Sequence, residues 1–248
     1  MAAAAPLLPM PPDPAEDLDD SVLVIEDDAP VDSILTEKQE RLLTEPLYSS
    51  WSGPPPAEAS APRPFAALAN VGLFSSVLEP PLVPDMMLSL DVSIPQDLGP
   101  KRNRSYFLWR YGKPPEVVIE IVSNRKGGEL GERRLRYQRM RVSYYVVYDP
   151  LGELGAATLQ TFDLRGGTYV PHDPPWFEGV GLGLTEWEGT FEGLTGRWLR
   201  WRTRDGQLVP TGAERAESER ARADSAEARA LRLAARLREL GIDPDSDG

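Results

Sequence analysis

From Leu82 onward, apolar and polar positions alternate in a β pattern. Pro84-Asp85-Met86-Met87-Leu88-Ser89-Leu90-Asp91-Val92 reads as a strand of mixed apolar character. A basic loop over residues 96–104 leads to the aromatic run Tyr106-Phe107-Leu108-Trp109, and Pro114-Pro115 introduces Glu116-Val117-Val118-Ile119-Glu120-Ile121-Val122. Side chains branched at Cβ crowd a helical turn but pack well on a pleated surface, so this run is expected as a central strand. Gly127-Gly128 breaks it, and residues 129–140 have helical composition. Residues 142–148 form another strong strand pattern, closed by Asp149-Pro150. Residues 158–164, Gly166-Gly167 and residues 168–170 together carry a hairpin signal.

The flanks are less regular. Residues 1–32 are rich in Ala, Pro and Asp, a composition that buries too little apolar surface to offset ordering, and are expected to be largely disordered. Thr36-Glu37-Lys38-Gln39 resembles a capping box, opening a short helix through about Leu43. A Ser/Pro/Ala linker over residues 49–63 precedes residues 65–75, which are weakly apolar and receive no assignment. Residues 176–201 are aromatic and glycine-rich and are expected to add peripheral strands, with one more hairpin over residues 200–209 around Asp205-Gly206. In the tail, positions 216, 219, 223, 226, 230, 233, 237 and 240 read Ala, Glu, Ala, Ala, Ala, Leu, Leu, Leu, a heptad stripe with one exception. This predicts a long amphipathic helix stopping at Gly241-Ile242-Asp243-Pro244. It would either pair with a second copy of the chain, making a homo-oligomer, or fold back on its own domain. The organisation expected is an acidic leader over 1–33, an α/β domain over 34–210, and a helical tail over 211–248.

Composition narrows the chemistry. With no cysteine there are no disulfides, thiolate nucleophiles or zinc-thiolate sites. The single histidine, His172, lies in a Pro-His-Asp-Pro-Pro run and reads as a loop residue, so His-based metal clusters and a Ser-His-Asp triad elsewhere are excluded. Carboxylates, Lys, Arg, Tyr and bound metal remain. No apolar run approaches the roughly 20 residues of a membrane helix, and the N-terminus lacks the basic region of a signal peptide. A soluble cytoplasmic protein is expected, with no membrane partner. The formal charge of −12 argues superficially against nucleic acid, but nine acidic and no basic side chains fall within residues 1–34. Residues 101–141 hold twelve Lys or Arg against four Glu, a balance that suits either a phosphate-bearing partner or a solvated helix face.

Asp85 and Glu120 are the candidate acids. Each interrupts an apolar β segment, where an unpaired carboxylate is costly to bury. Hard cations such as Mg²⁺ or Mn²⁺ take oxygen ligands, often one or two carboxylates completed by water and substrate. Glu116, Val118, Glu120 and Val122 share one strand face, with Glu120 expected where the strand end opens towards solvent. On the following helix Leu130, Arg133, Tyr137 and Met140 recur at i, i+3, i+7 and i+10. Arg133 is the misfit on this core-facing side. Its natural targets are Glu120 or a bound phosphate, and a stem extended to bring the head to solvent is the alternative.

Pro84-Asp85, then Glu116-Val-Val-Ile-Glu120-Ile-Val-Ser123, then Gly-Gly-Glu-Leu-Gly-Glu-Arg133-Arg-Leu-Arg-Tyr137, then Val142-Ser-Tyr-Tyr145-Val-Val-Tyr-Asp149-Pro150, in that order, resemble the putative restriction endonuclease family of the PD-(D/E)xK nuclease superfamily. The resemblance spans roughly residues 36–210 with its looser flanks. The tail ending in Leu240-Gly-Ile-Asp-Pro244 is also similar to tails of that family. The resemblance implies a restriction-endonuclease-like mixed sheet flanked by helices, here with a C-terminal amphipathic helix. It implies Asp85 and Glu120 as metal-binding catalytic acids and a lysine on the next helix, four residues before the tyrosine matched by Tyr137. That position is Arg133, which keeps the charge and binds phosphate but cannot serve as a base at neutral pH. The nearest lysines, Lys113 and Lys126, lie elsewhere.

Two functions follow as expectations. One is an Mg²⁺- or Mn²⁺-dependent endonuclease acting on DNA, or on RNA or another phosphate ester through the same site. The other is a catalytically weakened nuclease-fold protein that binds nucleic acid or serves in assembly.

Overall fold

The computed structural model describes residues 33–54, 63–122, 129–155 and 157–240. The acidic leader up to residue 32, residues 55–62 of the expected linker, Gly127-Gly128 and the expected stop from Gly241 lie outside the described residues.

Helix α1 (Ile34–Ser50) is capped by Ser33, whose hydroxyl accepts from the Thr36 N–H at 3.2 Å. The capping box expected at Thr36 is therefore corrected. Thr36 lies in the first turn, and the Gln39 amide instead pairs with the Leu199 backbone in both directions at 2.8 Å. The helix also runs to Ser50 rather than ending near Leu43. Leu43 and Leu47, either side of Pro46, are fully buried, and that packing outweighs the hydrogen bond the proline removes.

After α1 come β1 (Phe65–Ala69), β2 (Leu73–Phe74), β3 (Met86–Leu90), β4 (Tyr106–Phe107), the single turn α2 (Leu108–Tyr111) and β5 (Val117–Ile121). Helix α3 (Arg134–Met140) leads to β6 (Tyr144–Tyr148), β7 (Leu159–Arg165) and β8 (Thr168–Pro171). A second β region holds β9 (Trp176–Phe177), β10 (Leu182–Phe191) and β11 (Leu194–Arg202), and α4 (Gly212–Glu239) closes the described chain. The main sheet has the order β1-β3-β5-β6-β7-β8. Only β5 and β6 run parallel within it, because the chain between them crosses over through α3 instead of turning back in a hairpin. The β7–β8 hairpin turns at Gly166 (φ 58°) and Gly167 (φ 87°), both in the left-handed region that a two-residue hairpin of this twist requires.

Period-two alternation divides the core. Met86, Leu88, Val117, Ile119, Val146 and Tyr148 face one way, against Leu43 and Leu47 of α1 and Leu199 and Trp201 of β11. Met87, Val118, Tyr145 and Val147 face the other way, against Tyr137 and Met140 of α3. Each such fully buried aliphatic side chain contributes about 1.5–3 kcal/mol relative to exposure. The peripheral strands expected over residues 176–201 are the three-stranded sheet β11-β10-β9, which lies on the α1 side. The expected hairpin over residues 200–209 is reduced to one bridge, Arg202 to Leu208.

Two helices differ from expectation. The helix expected over 129–140 is regular only from Arg134, since the turn Glu129–Arg133 is broken at Gly131 (φ −109°, ψ −111°). Helix α4 is capped reciprocally by Thr211 and Glu214, and its first turn meets α1, where Gly212 N–H donates to Glu45 Oε1 at 2.9 Å. None of its residues is buried, so it does not fold back on the domain as one alternative held. Among the described residues no helix is long and apolar enough to cross a membrane.

Candidate active site

The β3–β5 ladder positions the two acids. Met86 stands opposite Ile119, and the next step of the same antiparallel register brings Asp85 opposite Glu120. Residues directly opposite in such a pair point to the same face, with Cβ atoms about 4.5–5.5 Å apart. That face is the one covered by α3. Asp85 Oδ2 also accepts from the Ile121 N–H at 2.5 Å, which ties the first acid to the strand that carries the second.

Glu120 is only 1% exposed, which corrects the expectation that its end of the strand opens to solvent. Helix α3 closes over it. Arg133 Nε lies 3.1 Å from Glu120 Oε1, and Nη2 lies 2.8 Å from each of the two carboxylate oxygens. Nη2 also donates to Val83 O at 2.7 Å. Tyr137 Oη donates to Glu120 Oε1 at 2.6 Å. Of the targets open to Arg133, the structure selects Glu120, while about a third of the Arg133 side chain stays exposed.

Burial pushes the Glu120 carboxyl up to about 8, opposed by the charge of Arg133, reinforced by that of Asp85, and opposed again by the Tyr137 hydrogen bond. Burial alone would lower Arg133, but the adjacent Glu120 carboxylate holds it above its ordinary value. The Tyr137 phenol is pushed well up by burial and by the neighbouring carboxylate. The guanidinium therefore carries the fixed positive charge beside Glu120.

The donor set fits a hard cation. Asp85 and Glu120 supply carboxylate oxygens from adjacent strands, and among the described residues no third His, Cys, Asp or Glu completes a protein cage. Two carboxylates with remaining positions left to water and substrate is the usual arrangement for Mg²⁺. Arg133 already covers the Glu120 oxygens, so a cation held there would take over the charge compensation that the guanidinium supplies.

Helical periodicity alone marks Tyr137 as a packing residue, although its position four residues after Arg133 on one helix face is a signal for its contact with Glu120. Asn70 and Glu40, which local pattern does not single out, lie next to Asp85 through hydrogen bonds. Asn70 Nδ2 donates to both Glu40 oxygens at 2.8 Å, and Asn70 N–H donates to Asp85 O at 3.4 Å. This joins α1 to the start of β3 through a residue at φ 52°, a conformation Asn tolerates better than most side chains. Lys113 is remote from the acids, bonding Leu90 O and Glu116 at the opposite end of β5, and Lys126 lies outside the described residues. His172 is a loop residue, with Nε2 2.6 Å from Trp176 O.

A mixed sheet with α1 and the smaller sheet on one face, α3 on the other, and paired acids on adjacent central strands defines a restriction-endonuclease-like α/β protein. The chain belongs to the Uma2 family, described as "putative restriction endonuclease", whose family model matches residues 36–195. That span runs from the first turn of α1 into the start of β11 and contains Asp85, Glu120 and Arg133, while α4 lies beyond it. Comparison with curated proteins and with solved structures returned no match.

Proposed function

We propose that the protein is a metal-dependent endonuclease that hydrolyses phosphodiester bonds, with DNA as its substrate and residues 34–210 as the catalytic unit. The observation that carries this reading is the convergence of Asp85 and Glu120 on one sheet face beneath the partly exposed guanidinium of Arg133, within a family described as "putative restriction endonuclease". Asp85 and Glu120 would hold Mg²⁺ or Mn²⁺. Such a cation polarises a phosphate and lowers the pKa of an attacking water. Arg133 compensates charge on the non-bridging phosphate oxygens once it is released from Glu120, and its fork of donors suits that geometry. Tyr137 orients Glu120 by holding Oε1, and Asn70 positions Asp85 through its backbone carbonyl.

The test is cleavage of linear, supercoiled and single-stranded DNA with Mg²⁺ and Mn²⁺, beside Asp85→Ala and Glu120→Ala. Metal-dependent cleavage lost in both variants is the expected result. Cleavage that persists in both, or none from the wild type with either metal, would overturn it.

One observation favours a second reading, a weakened nuclease fold that binds nucleic acid. Arg133 occupies the position where the family resemblance implies a lysine, and it is engaged with Glu120. A large gain of cleavage in Arg133→Lys over an inactive wild type would support this reading, and measurable wild-type cleavage would exclude it. Pairing of α4 with a second copy is a further part of the proposal, supported by the uncovered Ala/Leu stripe that ends in the exposed Leu233 and Leu240.

A further inference from the structure

A second basic feature lies along α3, away from the paired acids. Arg133 reaches Val83 O, and one turn later Arg136 reaches Pro80 O, so the helix lies beside the segment that delivers Asp85. Beyond Arg136, the end of α3 and the chain after β2 enclose a cleft of about 410 Å³. Arg136, Arg139 and Arg141 line it on one side, with Ser75, Glu79 and Leu108 among the residues opposite. Arg139 and Arg141 are exposed and form no ion pair among the described residues. The single carboxylate in the lining, Glu79, accepts from Ser75 Oγ at 3.3 Å. Three arginines against one glutamate leave the cleft net positive.

Arginine near a helix C-terminus offsets the partial negative charge of the last carbonyls, which explains one or two such residues there. It does not explain a third, or a cavity between them and a facing loop. Arg139 lies six residues beyond Arg133, about 9 Å along a helix rising 1.5 Å per residue. Met140, on the same helix stripe as Arg133, also lines the cleft, so the cleft lies about two turns along α3 from Arg133.

We infer that the cleft bounded by Arg136, Arg139 and Arg141 is the seat of the nucleic-acid backbone flanking the reacting phosphate, binding its phosphodiester oxygens. This rests on the nuclease reading for the identity of the partner, but its test does not require cleavage. Phosphate contacts displace condensed counterions, so log affinity falls with log salt by roughly 0.9 per contact on duplex DNA.

Binding of a fluorescein-labelled DNA duplex to the full chain, in chelator and across a salt series, reads this directly. Arg139→Gln/Arg141→Gln should weaken binding about tenfold or more at low salt and make the slope shallower by about 2, one contact for each arginine removed. Arg139→Lys/Arg141→Lys keeps both charges and should retain most of the slope. Arg139→Gln and Arg141→Gln made singly should each make the slope shallower by about 1, and these decide the matter if the double variant is poorly folded by circular dichroism. Arg222→Gln/Arg229→Gln on α4 should leave the slope unchanged. An unchanged slope in the cleft variant, or an equal change in the α4 variant, would overturn the inference. Tighter binding of the wild type to poly-glutamate than to duplex would overturn it in favour of an acidic protein partner. If the slope responds as expected while no metal supports cleavage, the nuclease reading fails and the backbone seat stands.

Discussion

The Tyr137 phenol donates to the Glu120 carboxylate at 2.6 Å, linking the helix that covers the sheet to the acid at its centre. Both groups are buried, so neither finds water as an alternative partner. The same carboxylate accepts from Arg133 and faces Asp85, making Glu120 the hub of the site.

Tyr137→Phe preserves the ring packing on Tyr145 and removes only the hydroxyl. Loss of a donor to a buried acceptor should destabilise the protein by about 1–3 kcal/mol. Urea unfolding monitored by tryptophan fluorescence checks this, and a change below a few tenths of a kcal/mol would contradict the hydrogen bond.

Above about pH 8, where Glu120 is ionised, Arg133→Ala leaves the carboxylate buried without its cation. Breaking a buried pair typically costs about 3–5 kcal/mol, and the partial exposure of Arg133 places this one towards the lower end. The same variant should bind Mn²⁺ more tightly by calorimetry, because the Glu120 oxygens no longer have an internal cation on them. Unchanged or weaker Mn²⁺ binding would argue that Glu120 is not a metal ligand.

The pH response has a definite sign. Glu120 titrates near its ordinary value of 4.5 in the unfolded chain but at about 8 when folded, so the folded state binds the proton more tightly. The stability this contributes is fully present below about 4.5 and is lost as pH rises through about 8. The unfolding free energy of the wild type should therefore fall, relative to Glu120→Gln, as pH is raised across this window. A flat or rising difference in chemical denaturation would refute the assignment.

At the base of α4, Arg200 is buried, donates to both oxygens of Glu214 at 2.8 and 2.6 Å, and stacks over Trp187. Glu214→Ala should cost about 3 kcal/mol by stranding that guanidinium. Removal of the exposed remainder of α4, from residue 220 onward, should leave the thermal midpoint almost unchanged. Sedimentation of the same truncated chain tests pairing through the helix: a mass equal to that of the full-length assembly, less the deleted residues, would remove the self-association reading.

Much of the fold and part of the site were legible from local pattern. The β-branched run around Glu120, the Gly166-Gly167 turn and the heptad tail each carry their signal within a few residues, because periodicity and turn chemistry act over that range. Asp85 and Glu120 stood out because carboxylates in apolar strands demand compensation, and Arg133 stood out as a cation on a core-facing stripe. The sequence therefore determined which residues had to be satisfied. It could not say by what, since the partners lie far apart along the chain. Only tertiary structure decided that Glu120 closes against Arg133 and Tyr137 rather than opening to solvent, that Gln39 serves Leu199 instead of a helix cap, and that α1 continues through Pro46. In each case a long-range contact outweighed the local preference, because burial and a satisfied buried hydrogen bond are each worth more than the propensity they override.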